Sequence, residues 1–252
     1  MKIDYPSAEQ IPALKELWKL AFGDGDDFLT PFFDIAYAPD CCRCIAEEGT
    51  VAAALYWFSC THGNQKLAYI YAVATHPDFR GRGLCAALME DTARLLKQRG
   101  YDGILLYPAS DALSRMYEKM GYHRCTWVRE WKCTASDTST ALREIDLDEF
   151  ARLRHQFLPS GGVIQEGRIL NFLGTLARFY TGGDWLAAIS QEDNEIHCYE
   201  LLGNLAAAPA ILCALKVQNG SFRAPGSEKP FAMALGLTEK YTDPEYFGFP
   251  LD

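Results

Sequence analysis

The pattern of apolar and polar residues predicts alternating helices and strands along the chain. Ser7 followed by Gln10 has the form of a capping box, and the apolar face that begins at Ile11 stops at Gly23, which predicts a first helix. The other elements predicted in the first half are a second helix over 28–38, strands over 44–47, 51–60 and 67–75, a helix from Leu84 to Gly100, a strand over 103–107, a helix from Ser110 or Asp111 to Gly121, and a last strand or hairpin over 122–133.

Small polar residues at 134–140, ASDTSTA, form the best candidate for a linker. The order of elements then begins again. The predicted elements are a strand at ALREI, helices at LDEFARLRHQFL and GRILNFLGTLARF, strands at WLAAIS and EIHCYELLG, and an apolar helix at AAAPAILCAL. We therefore predict two domains, 1–133 and 134–252, with a repeated architecture.

Composition places the chain among globular proteins, since 49% of residues are apolar and 23% are charged. The longest apolar run, Val51 to Phe58, is too short to cross a bilayer, and the N-terminus lacks the regions of a signal peptide. We expect a cytoplasmic protein with no membrane partner. The nine cysteines follow no disulfide or metal-ligand spacing, so we expect free thiols and no metal site.

The net charge of −9 is unevenly spread. Residues 1–133 carry 15 basic and 17 acidic side chains, whereas residues 134–252 carry 9 and 16. This balance argues against a nucleic-acid partner. It leaves open a solvated acidic surface and a field that attracts amine substrates.

The stretch THPDFRGRGLCAALME, 75–90, joins an apolar strand to a helix through a glycine-rich turn. Such a turn leaves backbone amides pointing outward at the positive end of the helix dipole, which is a site for an anion such as phosphate. Gly81 and Gly83 allow close approach to the backbone, and Arg80 and Arg82 add donors and charge. The alternative is a solvent loop with two exposed arginines.

Two familiar phosphate motifs do not fit this loop. No GxxxxGK[ST] is present, which excludes a P-loop. Gly81, Gly83 and Ala86 match GxGxxA with Asp102 downstream, but that fingerprint follows its strand immediately, and its acid ends the next strand. Here HPDFR intervenes and Asp102 precedes the strand.

The loop resembles motif A of the GNAT superfamily of N-acetyltransferases, [QR]xxGx[GA], with Arg80, Gly83 and Cys85 at its defining positions. Cys85 departs from the usual glycine or alanine. A second stretch, SRMYEKMGY (114–122), resembles motif B of the family, usually written YEKxGF, and its tyrosine is Tyr117. Ser110 stands where the family often has an asparagine.

The resemblance implies an α/β (α+β) fold with a mixed, largely antiparallel sheet flanked by helices, followed by a second, smaller, degenerate GNAT-like domain. It also implies acetyl-CoA as the acyl donor and a small-molecule or peptide amine as the acceptor. Pyrophosphate would bind the amides of Gly81, Arg82, Gly83, Leu84, Cys85 and Ala86, the pantetheine arm would follow Val73, Ala74 and Thr75, and Ser110 would contribute a further contact. Tyr117, with an ordinary pKa of about 10, would protonate the leaving thiolate.

The general base stays unassigned in this interpretation. Many relatives use a glutamate where this chain has Leu67. Tyr69 and Tyr71 are poor bases at neutral pH, and His76 lies in the cofactor turn, where it is suited to stabilising the turn. Asp252 or the chain terminus is a further candidate, as is a water relay.

Three alternatives remain. Leu67, Cys85 and Ser110 favour a non-catalytic acyl-CoA-binding regulator. The other two alternatives are a transferase for larger acyl groups and a protein-interaction scaffold.

Four aromatic residues come from segments that usually line the acceptor side of the GNAT site, and core packing is the other explanation for them: Phe32, Phe33, Tyr56 and Trp57. The sequence specifies neither the acceptor nor the oligomeric state.

Overall fold

The computed structural model describes residues 2–47, 49–192 and 194–249. The chain forms two compact units that interleave in sequence. The first comprises Met1–His123, Gly167–Phe172 and Ala234–Thr242, and the second comprises Arg124–Glu166, Leu173–Met233 and Asp243–Asp252. The assignment of catalytic and degenerate roles to 1–133 and 134–252 stays a prediction.

Helices and strands alternate along both units. The helices are α1 (Ile11–Phe22), α2 (Asp26–Pro31), α3 (Leu84–Gln98), α4 (Asp111–Glu118), α5 (Leu147–Phe157), α6 (Arg168–Leu176) and α7 (Ala208–Leu215). The strands are β1 (Ile3–Asp4), β2 (Cys42–Glu47), β3 (Thr50–His62), β4 (Gln65–Thr75), β5 (Gly103–Leu106), β6 (His123–Arg124), β7 (Trp127–Thr134), β8 (Arg143–Ile145), β9 (Ile164–Gln165), β10 (Arg178–Thr181), β11 (Trp185–Glu192), β12 (Glu195–Gly203), β13 (Asn219–Pro225), β14 (Lys229–Pro230) and β15 (Met233–Gly236). Within the described ranges, no helix is both long and apolar enough to span a bilayer.

The first helix begins and ends as the sequence predicts. The capping box of Ser7 and Gln10 is present, and it starts a short 3₁₀ turn that runs into α1. Gly23 ends the helix with φ +82°, and its amide donates to the Lys19 carbonyl at 2.9 Å. The second helix differs from its prediction, because α2 starts at Asp26 and passes into a π-helical turn, Phe32–Ala36.

The sheet of the first unit has the strand order β1-β2-β3-β4-β5-β15-β6. Strands β1 to β4 are antiparallel neighbours, whereas β5 pairs with β4 in parallel. Helices α1 and α3 pack on β3 and β4. The mixed α/β class with predominantly antiparallel pairing is confirmed.

The sheet of the second unit has the order β14-β7-β13-β12-β11-β10-β8, with only β12 and β13 parallel among its described pairs. The prediction of 122–133 as the last strand or hairpin of the first unit holds for β6, which lies in the first sheet, but was wrong for β7, which pairs with β13 here. The predicted helix at GRILNFLGTLARF was too long, since α6 ends at Leu176 and β10 begins at Arg178.

A buried charge network lies in the second unit. Arg154 on α5 donates to both carboxylate oxygens of Glu200 on β12, at 2.7 and 3.0 Å. The two residues are only 3% and 1% exposed. Tyr246 donates to Glu200 at 2.9 Å, and Arg154 also donates to the Val163 carbonyl at 3.2 Å. Buried charges are tolerated when they are paired and fully hydrogen-bonded.

Candidate functional site

The parallel strands β4 and β5 separate at one end. They pair from Leu67 with Gly103 to Ile70 with Leu106, where β5 stops, while β4 continues to Thr75. A bulge distorts this extension, since its register to β3 shifts and Ala72 has φ +48°. The predicted pantetheine segment therefore pairs with β3 on one side, and no strand of the described chain pairs with it on the other.

A short turn links β4 to the predicted anion loop. The turn spans Pro77–Phe79, and the Nδ1 atom of His76 accepts a hydrogen bond from the Asp78 amide at 3.3 Å. This bond gives His76 a role in holding the turn. The His76 amide in turn donates to the Ala52 carbonyl at 2.9 Å, which fixes the turn to β3.

The loop itself presents a continuous run of backbone donors. Gly81 and Gly83 both have φ +75°, and α3 starts at Leu84. The first amide after Arg80 with an acceptor is that of Ala87, which donates to the Gly83 carbonyl at 3.1 Å. Across the intervening positions, 81–86, no amide donates to another group of the described chain. These donors, at the positive end of a long helix, can bind an anion.

The two loop arginines have different partners. Arg80 donates from Nε to the Thr75 carbonyl at 3.3 Å, which connects the loop to the end of β4. Arg82 forms an ion pair with Glu47 at 2.7 Å and lies over the Phe79 ring. Sequence reasoning missed Glu47, whose charge partly neutralises Arg82 and favours Arg80 as the cation for an anionic ligand.

Ser110 caps the helix that carries Tyr117. Its hydroxyl oxygen accepts from the Leu113 amide at 3.2 Å, and its carbonyl accepts from the Ser114 hydroxyl at 3.2 Å. A contact between Ser110 and the cofactor, as the resemblance implies, stays a prediction.

Tyr117 is 6% exposed and points into a cluster with Tyr122 and Cys85. The rings of Tyr117 and Tyr122 meet edge-on at a centroid distance of 5.8 Å. Burial, and next the nearby Cys85 thiol, raise the pKa of Tyr117 above its ordinary value. The phenol therefore stays protonated at neutral pH and can act as a proton donor.

The general base stays unassigned, and Leu67, which stands where many relatives carry a glutamate, has no ionisable group. Leu67 is fully buried in the sheet, Tyr69 is buried, and Tyr71 is half-buried on the same strand. Asp252 lies outside the described residues. No general base follows from these positions.

Aromatic rings fill the space between α1, the π-helical turn and β3. Trp18 contacts Phe32 and Tyr56 at centroid distances of 4.5 and 5.2 Å, and its indole donates to Asp24 at 2.7 Å. The four aromatics considered for the acceptor side are all buried: Phe32, Phe33, Tyr56 and Trp57. They belong to the core of the first unit. Half-buried rings that contact this cluster are Phe28, Tyr37 and Tyr71.

Asp102 acts within the sheet, in agreement with its exclusion from a dinucleotide motif. Its carboxylate accepts from the Lys66 amide at 3.1 Å and the Thr238 hydroxyl at 2.9 Å. Both partners are structural groups of the first unit.

Comparison with known proteins identifies the family of this site. Residues 2–125 match the acetyltransferase (GNAT) domain family. No curated protein sequence matches the chain. Its fold is similar to that of a GCN5-related N-acetyltransferase from Anabaena variabilis, with a TM-score of 0.76 and 18% identity over 94% of this chain and 73% of that one.

Two other solved structures share the fold. A GCN5-related N-acetyltransferase from Kribbella flavida has a TM-score of 0.69 and 16% identity, over 92% of this chain and 70% of that one. A tandem GNAT protein from the clavulanic acid biosynthesis pathway has a TM-score of 0.60 and 12% identity, over 95% and 99%. The family match includes the diverging strands and the loop between β4 and α3, so residues 2–125 of the chain are a domain of the GNAT acetyltransferase family.

Proposed function

We propose that the protein transfers an acetyl group from acetyl-CoA to a primary amine of a small molecule or peptide. The observation that carries this proposal is the run of amides at 81–86 without an internal acceptor, because phosphate groups are usual ligands of such a run. Membership of the GNAT family supports acyl-CoA-dependent acetyl transfer in general. The specific donor and the amine acceptor are the proposed part.

The cofactor would lie along two neighbouring surfaces. Its pyrophosphate would accept from the amides of Gly81 to Ala86 with Arg80 adjacent, and its pantetheine arm would pair with the free side of β4 at Val73–Thr75. A β4 amide would polarise the thioester carbonyl. A neutral amine would attack that carbon, the C–S bond would break, and Tyr117 would give its proton to the sulfur. The nitrogen would release its surplus proton to water, and Tyr117 would regain a proton from water.

The second unit would be a degenerate copy without a catalytic role. The parallel pair β12 and β13 is its counterpart of β4 and β5. The connection from β12 to α7 carries Asn204 and Leu205–Ala207 and lacks the arginine-glycine loop.

Titration with CoA and turnover of acetyl-CoA with a panel of amines test the proposal. Polyamines, aminoglycosides, amino acids and peptide N-termini should be included, with release of free thiol as the readout. We expect CoA binding and turnover with at least one amine class. We expect Tyr117→Phe to bind CoA normally and to turn over more slowly by about a hundredfold, the scale of a general acid.

A non-catalytic acyl-CoA-binding regulator is the second candidate. It is favoured by the fully buried Leu67 at the position where many relatives carry a base. Tight CoA binding without turnover of any amine would support the regulator. Titration with longer acyl-CoAs would test a larger donor, and the absence of any CoA binding would refute both functions.

A further inference from the structure

A second phenol lies beside Tyr117. Tyr122 is 4% exposed, and its hydroxyl is buried without a hydrogen-bond partner in the described part of the chain. It occupies the position where motif B is usually phenylalanine. The hydroxyl is therefore an addition to a position that an apolar ring can fill.

A buried hydroxyl without a partner is unfavourable. Leaving such a group unpaired costs about 1–3 kcal/mol, and buried tyrosine hydroxyls usually find a partner. The Cys85 thiol, in the first turn of α3, acts electrostatically on both Tyr117 and Tyr122. The unpaired hydroxyl thus lies close both to the predicted proton donor and to the helix start that carries the free amides.

We propose that the Tyr122 hydroxyl donates a hydrogen bond to the sulfur of bound CoA, an inference that rests on the proposed function. During transfer the amine nitrogen bonds to the acetyl carbon, the C–S bond breaks, and the sulfur keeps the electron pair. Tyr117 gives its proton to the sulfur, the nitrogen releases its surplus proton to water, Tyr117 regains a proton from water, and Tyr122 keeps its own. A donor directed at the sulfur is strongest when that atom carries most negative charge, so it stabilises the transition state more than the ground state.

A binding cycle with two ligands and two proteins tests the contact directly. CoA and desulfo-CoA, in which hydrogen replaces the thiol, are titrated into the native protein and into Tyr122→Phe. We expect the preference of the native protein for CoA over desulfo-CoA to fall by about threefold to tenfold in the variant, the contribution of one hydrogen bond. An unchanged preference overturns the inference and leaves the proposed function intact if CoA still binds.

Tyr101→Phe is the matched control. Tyr101 is also 4% exposed and in the first unit, but its hydroxyl pairs with that of Ser59. We expect Tyr101→Phe to lower the stability of the free protein and to keep the ligand preference. Tyr122→Phe should show the opposite pattern, because the free protein loses no hydrogen bond.

Stability and turnover complete the test. If Tyr122→Phe unfolds or is destabilised as much as Tyr101→Phe, its hydroxyl has an internal partner and the inference is wrong. If the native protein binds no CoA, the proposed function and the inference fail together. With any amine that is turned over, we expect kcat of Tyr122→Phe to fall about tenfold or more with an unchanged KM for acetyl-CoA.

Discussion

Replacing Gly83 by alanine, with Gly23→Ala as the control, distinguishes the cost of backbone strain from the loss of ligand binding. Gly83 has φ +75° and ψ 9°, and Gly23 at the end of α1 has φ +82° and ψ 2°. A Cβ at either position would meet no heavy atom within 4 Å. The two substitutions therefore share one cost, the left-handed conformation of an L-residue, which is about 1 kcal/mol.

The two glycines differ in what their surroundings can bind. The Gly23 amide already donates to the Lys19 carbonyl, whereas Gly83 belongs to the run of amides without acceptors. Relaxing the strain at Gly83 would rotate the peptide units that direct this run outward. Loss of one hydrogen bond to a charged group is worth about 1.5–3 kcal/mol, which corresponds to roughly tenfold to a hundredfold in affinity.

Calorimetric titration with CoA and thermal unfolding are measured on both variants. Each should unfold about 2–4 °C below the native protein, as expected for 1 kcal/mol in a chain of this size. Only Gly83→Ala should lose CoA affinity. Native affinity in Gly83→Ala, or an equal loss in Gly23→Ala, would refute the assignment of the anion site to these amides.

Three further predictions concern stability and protonation. Glu200→Gln should lower the free energy of unfolding by about 3 kcal/mol, because it leaves the buried Arg154 charge without its partner. In urea denaturation, the control variant Arg154→Met/Glu200→Leu should lose less stability than Glu200→Gln. Equal losses in the two variants would contradict this reasoning. Gly248→Ala should also destabilise the protein, because the added Cβ would clash with a carboxylate oxygen of Glu200, and a native denaturation midpoint would speak against this packing. Burial raises the pKa of Cys60 from 9.0 to about 12, so the folded state disfavours the thiolate and stability should fall as pH rises above 9, by up to about 1.4 kcal/mol per pH unit. Denaturation between pH 8 and pH 10.5 under reducing conditions should show a shallower decline for Cys60→Ala, and an identical slope would remove the thiol as the cause.

Local signals explain what the sequence could predict. The capping box at Ser7, the glycine-rich turn at 81–83 and the cap at Ser110 each specify an element within a few residues, and the structure has each helix start there. The predicted binding roles of these positions depend on a ligand and stay predictions.

Long-range pairing explains what the sequence could not predict. The alternating pattern of Trp127–Thr134 identifies a strand, but the pattern does not select between two sheets that both have apolar faces. The Arg82–Glu47 pair likewise joins residues 35 positions apart. The one available signal for Tyr122 was a hydroxyl at a position that motif B usually fills with phenylalanine.

The position of β15 in the first sheet constrains synthesis of the chain. This strand, Met233–Gly236, lies next to β5, although residues 107–232 separate the two strands in sequence. A nascent chain leaving the ribosome must leave this edge of β5 unpaired until residues 233–236 have been synthesised. An exposed strand edge invites pairing with other chains, so a fragment that ends at residue 133 should be prone to aggregation.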